Sequence, residues 1–82
     1  MNGVVVDCAN LIYNRREIEV GRLISVLELI ESKGWPCHAG LKEGTFYKIT
    51  KYLEEVPDKQ KSLLETLNDE NRISLIPSKE DD

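Results

Sequence analysis

The hydrophobic positions of this chain change rhythm along its length. Near the start, Val4-Val5-Val6 is an unbroken run of β-branched residues, followed at once by Asp7, small Cys8 and Ala9, and Asn10. A run of this kind closed by a turn signal predicts a short, fully buried strand. Leu11 to Arg16 reads as a loop or turn that begins with helical character. From about Glu17 to Lys33 the spacing becomes helical: Val20, Leu23, Leu27 and Ile30 form a stripe that Ile24 and Val26 widen. Glu17 and Glu19 are expected in the first turn, where the helix dipole favours acids. Gly34 suits the left-handed position after the helix, and Pro36 forbids its continuation.

Period two returns over Pro36–Lys42, where Cys37, Ala39 and Leu41 alternate with His38, Gly40 and Lys42. That predicts a second strand. Phe46, Ile49, Tyr52 and Leu53 fit a short helical segment, which Pro57 ends. Asp58 is a good N-cap for a helix to Leu67 whose stripe is Leu63, Leu64 and Leu67. Arg72 to Ile76 reads as a third strand, stopped by Pro77. Strand, helix, strand, helical segment, helix, strand is the order of an α/β domain with a parallel sheet. Parallel strands usually carry helices on both faces. A three-layer α/β/α arrangement around a short parallel sheet is therefore expected, within one domain over 1–82.

Composition narrows the class. The chain has 82 residues, 40% of them hydrophobic and 32% charged, which suits a folded domain rather than a disordered segment. A chain this short buries only about 60–65% of its unfolded surface, so its stability margin is small. No apolar run approaches the ~20 residues that span a bilayer. No signal peptide is legible either, so a cytoplasmic address is expected. The two cysteines form no CxxC pair, and His38 is the only histidine. The common structural zinc sites would lack ligands, and free buried thiols are expected.

Net charge is −4, so no global attraction to nucleic acid operates. The charge is uneven, however. Arg15, Arg16 and Arg22 cluster early, while Lys79-Glu80-Asp81-Asp82 is acidic. A negative chain binds a polyanion if metal ions neutralise an acidic pocket and basic residues flank it.

In a parallel sheet, ligands sit at the carboxyl ends of strands. Asp7 and Asn10 fall there. Each candidate also has a plain structural reading. Asp7 and Asn10 suit caps or turns, Asp81 and Asp82 a solvated terminus, and the three arginines a solvated face. Tyr13, Phe46, Tyr47 and Tyr52 suit packing. His38 is assigned no catalytic role.

Taken together, Val4-Val5-Val6-Asp7-Cys8-Ala9-Asn10 resembles the opening strand of the PIN-like nucleases, especially the NYN branch. The usual glycine after the Asp is replaced here by Cys8. The likeness resumes at Ile73-Ser74-Leu75-Ile76-Pro77-Ser78, followed by Lys79-Glu80-Asp81-Asp82 where ribonuclease members carry an Asp-Asp pair. The resemblance implies a PIN-like fold and a metal-dependent endoribonuclease. Asp7, Asp81 and Asp82 would ligate Mg²⁺ or Mn²⁺, and Asn10 would position Asp7 or a ligating water. Arg15, Arg16 and Arg22 would meet the RNA backbone. The family carries a further strand and acidic cluster beyond this point, with that strand beside the first one. The chain is thus expected to be the N-terminal part of such a domain, short of activity alone, or to be completed by a second chain.

Two other classes compete. One is a non-catalytic interaction module that dimerises or pairs through the first-strand edge. The other is a phosphoacceptor or nucleotide-binding domain. The absence of GxGxxG or GxxxxGK[ST] counts against nucleotide binding.

Overall fold

The structure, a computed structural model, describes residues 3–77. It is a mixed α/β arrangement with a three-stranded parallel sheet and a separate two-stranded antiparallel ribbon. The chain opens with β1 (Val4–Asp7) and turns directly into a short helix, α1 (Cys8–Ile12). A hairpin follows, β2 (Tyr13–Asn14) and β3 (Glu17–Ile18). Then come α2 (Val20–Ser32), β4 (Cys37–Lys42) and α3 (Glu43–Tyr47). A π turn over Lys48–Tyr52, α4 (Asp58–Asp69) and β5 (Ser74–Ile76) complete the order.

The sheet order is β1-β4-β5, with β4 in the middle. Its register sets Val6 beside Ala39 and Asp7 beside Gly40, and on the other side Leu41 beside Leu75. Alternation then sorts the two faces. Val6, Ala39 and Leu41 point into one core with Ile12, Val20, Leu23, Leu27, Ile30, Phe46, Ile49, Leu64 and Leu67. The opposite face carries Val5, His38, Gly40 and Ile76, and here Val5 is 81% exposed. The expected burial of the whole valine run therefore fails at Val5 among the described residues. Val6 is buried against the helices and Val4 is half-buried beside it.

The helical stripes fall as their spacing requires. Val20, Leu23, Leu27 and Ile30 are buried, and Ile24 and Val26 pack beside them. The start of α2 differs from expectation. Glu17 lies in the hairpin, paired with Asn14, and Glu19 precedes the first helical residue. The Glu19 N–H donates to the Ile12 carbonyl at 2.7 Å, so local pairing with the preceding segment outcompetes helix extension. Neither acid sits in the first turn. Instead the Val20 N–H is satisfied from outside, by Gln60 Oε1 of α4 at 2.7 Å. The cap of α2 is thus supplied by a residue 40 positions away.

Both long helices end in the same way. Gly34 adopts φ 69°, its N–H donates to Glu31, and the Trp35 N–H reaches the Ile30 carbonyl. Asn71 repeats this with φ 58°, its N–H on Asn68 and the Arg72 N–H on Leu67. These are Schellman closures, in which a left-handed residue turns the chain back over the last carbonyls. The second one consumes Asn71 and Arg72, which is why β5 begins at Ser74 rather than at Arg72.

Two further expectations need correction. Asp58 is the first residue of α4, with Pro57 in the cap position and no side-chain cap. The segment after β4 changes pitch: the Leu53 N–H reaches back five residues to Lys48. That widened winding keeps Phe46 and Ile49 in the core but leaves Tyr52 74% exposed. Thr50 is buried there, its hydroxyl donating to the Phe46 carbonyl at 2.9 Å. Tyr13 and Tyr47 are also exposed, so of the four aromatics expected to pack only Phe46 is in the core.

Candidate functional site

Asp7 closes β1 and sits at the cap position of α1, yet its carboxylate makes no capping hydrogen bond. The cap reading of this residue therefore does not hold. Its Oδ2 instead accepts from Asn10 Nδ2 at 3.1 Å. The strand-to-helix junction explains the contact. Asn10 is the third residue of α1, and one helical turn returns its side chain to the residue before the helix. The pair is exposed, and the Asn10 amide engages one of the two carboxylate oxygens, Oδ2.

Asp7 lines a depression of about 520 Å³ on the open sheet face, together with Val5, His38, Gly40, Lys42, Thr45 and Ile76. Glycine shapes it. Gly40 lies beside Asp7 on β4, and a Cβ there would come within 3.0 Å of Ile76 Cδ1. Lys42 ends β4 much as Asp7 ends β1. Thr45, on α3, is the lining residue that sequence reasoning missed. It reaches the depression because β4, beside β1, turns directly into α3 after Lys42.

The arginines gather at the hairpin. Arg15 and Arg16 are its loop, and with Asn14 and Glu17 they line a second depression. Arg22 reaches back from α2, its Nη1 donating to the Tyr13 carbonyl at 3.4 Å. The hairpin is braced by Asn14 Nδ2, which donates to Glu19 Oε1 at 2.8 Å. Only α1, about 7.5 Å of helical rise, separates Asp7 from this basic hairpin along the chain. Comparison with protein-family models, with curated proteins and with solved structures gave no match.

The expected second wall of the site, Asp81 and Asp82, lies outside the described residues. Among the described residues, no three His, Cys, Asp or Glu side chains converge to hold a metal ion. The donors at hand are nonetheless of the right kind for a hard cation. A carboxylate oriented by an amide, at an open rim, suits Mg²⁺ or Mn²⁺, which keep several waters and take oxygen ligands. No helix of the described residues is long and apolar enough to cross a membrane.

Cys8 follows Asp7 and is fully buried, whereas Cys37 is exposed, against the expectation of two buried thiols. Burial, with the Asp7 and Cys37 charges adding to it, pushes the Cys8 thiol up to about 11. Cys8 is therefore a small apolar core residue and not a nucleophile. Its size matters at this junction, because the turn from β1 into α1 carries it straight into the core.

Proposed function

We propose that this chain belongs to a PIN-like, NYN-type ribonuclease domain that hydrolyses RNA phosphodiester bonds with Mg²⁺ or Mn²⁺, in the cytoplasm. The observation that supports this reading is the Asn10-to-Asp7 hydrogen bond of 3.1 Å at the carboxyl end of β1. Amide and carboxylate are spaced as the resemblance requires, and the carboxylate is not spent on capping. In this reading Asp7 is a metal ligand, and Asp81 and Asp82 supply the second wall. The three-layer α/β/α arrangement is part of the same proposal.

The metal would supply an activated water and charge stabilisation at the scissile phosphate. The residues of this chain prepare that step. Asn10 restrains the rotation of the Asp7 carboxyl, and Asp7 lines the depression. Orienting partners of this kind are worth about 10–100-fold in metal affinity or activity. In this reading Arg15, Arg16 and Arg22, gathered at the hairpin, would meet the phosphate backbone. Arginine suits that contact because its planar fork pairs with phosphate oxygens two at a time.

Mn²⁺ titration followed by amide resonances tests the site directly. Broadening centred on Asp7, Ala9 and Asn10 is expected, and its absence overturns the metal site. With the remainder of the acidic site supplied, RNA cleavage should fall by at least about 100-fold in Asp7→Asn and by about 10–100-fold in Asn10→Ala. Equal cleavage by parent and Asp7→Asn would remove Asp7 from the mechanism.

A further inference from the structure

The segment after β4 carries two tyrosines that the core does not use. Spacing puts Tyr52 on one stripe with Phe46 and Ile49, yet the π turn over Lys48–Tyr52 leaves it 74% exposed. Single π turns of this kind frequently lie at functional sites. Tyr47 is 40% exposed, and its ring packs edge to face with buried Phe46, centroids 5.4 Å apart at 78°. Phe46 thus steadies that ring while part of it stays open to solvent.

Lys48 and Lys51 stand between the two tyrosines, and both are exposed. Residues four apart on a helix are neighbours, which sets Tyr47 beside Lys51 and Lys48 beside Tyr52. The four side chains share one exposed face, while Phe46, Ile49 and Thr50 take the buried side. From Gly44 to Leu53 the sequence holds no acid, with Glu43 and Glu54 bounding the stretch. In a chain of net charge −4 this is a local reversal of sign. The face also begins near the depression, because Lys42 and Thr45 line it with Asp7 and Tyr47 follows two residues on.

We infer that this face binds a single-stranded RNA segment, with Tyr47 and Tyr52 stacking on its bases and Lys48 and Lys51 meeting the phosphates between them. Lysines alone would suit any polyanion, and tyrosines alone any apolar partner. Their interleaving suits a strand that itself alternates planar bases with charged phosphates. A duplex fits poorly, because its bases are already stacked and paired. That the strand is RNA rests on the nuclease reading, in which it would run on toward Asp7. The face itself needs neither metal nor cleavage.

Fluorescence anisotropy of a labelled, mixed-sequence RNA of about 12 nucleotides, in EDTA, reads binding without cleavage. The single strand is expected to bind, and its duplex at least about 10-fold more weakly. Tyr52→Ala, with unchanged circular dichroism, should weaken binding by about 5-fold or more at an unchanged salt slope, because a stacked base releases no counterion. Lys48→Gln combined with Lys51→Gln should instead reduce the slope of log K against log salt by about 1.4, roughly 0.7 for each cation on a single strand. Lys33→Gln, an exposed lysine just past α2, should change neither. Equal affinity for the duplex overturns the inference, and so does unchanged affinity in Tyr52→Ala. No RNA binding, with capture by phosphatidylserine vesicles that Tyr52→Ala abolishes, overturns it in favour of a membrane surface. The expected binding pattern in a protein that never cleaves RNA upholds this face and removes only the nuclease reading. Cleavage with normal binding by Tyr52→Ala removes only this face.

Discussion

Arg15 shows how a single residue can serve two demands at once. It holds φ 60° in the two-residue loop between β2 and β3. Only the first of the two loop residues is left-handed, the pattern of a II′ turn, where glycine is the usual occupant. An L-residue there costs about 1–2 kcal/mol. Arg15→Gly is therefore expected to stabilise the fold by about 1 kcal/mol, or roughly 4–8 °C in Tm for a domain of this size, read by thermal unfolding. If Arg15 contacts RNA, the same change weakens RNA binding, and the opposite signs of the two effects separate fold from function. The sequence shows two arginines in a polar stretch but not the left-handed backbone beneath one of them. Cys8 gives a second test. Its folded thiol is raised to about 11 from an ordinary 9.0, so the folded chain holds that proton more tightly. The stability this contributes is complete below about pH 9 and is lost as pH rises from 9 toward 11. Cys8→Ala should flatten that part of the pH–stability curve. In the native protein Cys37 should react with a thiol reagent while Cys8 stays silent until denaturant is added.

At the scale of elements, periodicity marked every long element and missed what joins them. The stripe of α2 and the alternation of β4 follow from side-chain spacing, which is local information. The cap of α2 is not local. Gln60 looks like one more polar residue in the first turn of α4, and only the packing of α2 against α4 brings Oε1 to the Val20 N–H. Gln60→Ala is expected to cost about 1 kcal/mol, in the range of lost helix caps, measured by urea unfolding with an unchanged m-value. Gln60→Glu keeps the acceptor and should retain most of the stability. The hairpin escaped prediction for a related reason. Tyr13, Asn14, Glu17 and Ile18 are too few to show a period, and their pairing depends on a turn that a sequence without glycine does not announce. The start of β5 moved because the Schellman closure at Asn71 takes Arg72, which alternation alone assigns to the strand.

For the whole molecule, the order of strands and helices was legible because alternation of period reports it directly. How the sheet is covered was not. One face is sealed by a single core, while the other presents Val5, His38, Gly40 and Ile76. A triple-valine run announces burial but does not say against what. The site is likewise half legible. Asp7 and Asn10 are three positions apart and converge through one helical turn, so a short motif suffices to find them. Thr45 joins Asp7 only because β4 lies beside β1 and turns directly into α3. The basic hairpin lies beyond α1, and Arg22 reaches it by folding back, a contact that clustering in sequence merely suggested.

The placement of β1 has one more consequence, in the time before the fold exists. Its three valines are made before their partner, since the only strand β1 pairs with among the described residues, Cys37–Lys42, comes some thirty residues later. At about 5–20 residues per second, the valine run spends a few seconds of synthesis without that partner. Asp7, at its border, is the charge that discourages such a segment from sticking to its own kind. The same carboxylate that accepts from Asn10 in the finished protein thus guards the nascent chain. Asp7→Asn then yields less soluble protein even where no metal or RNA is present.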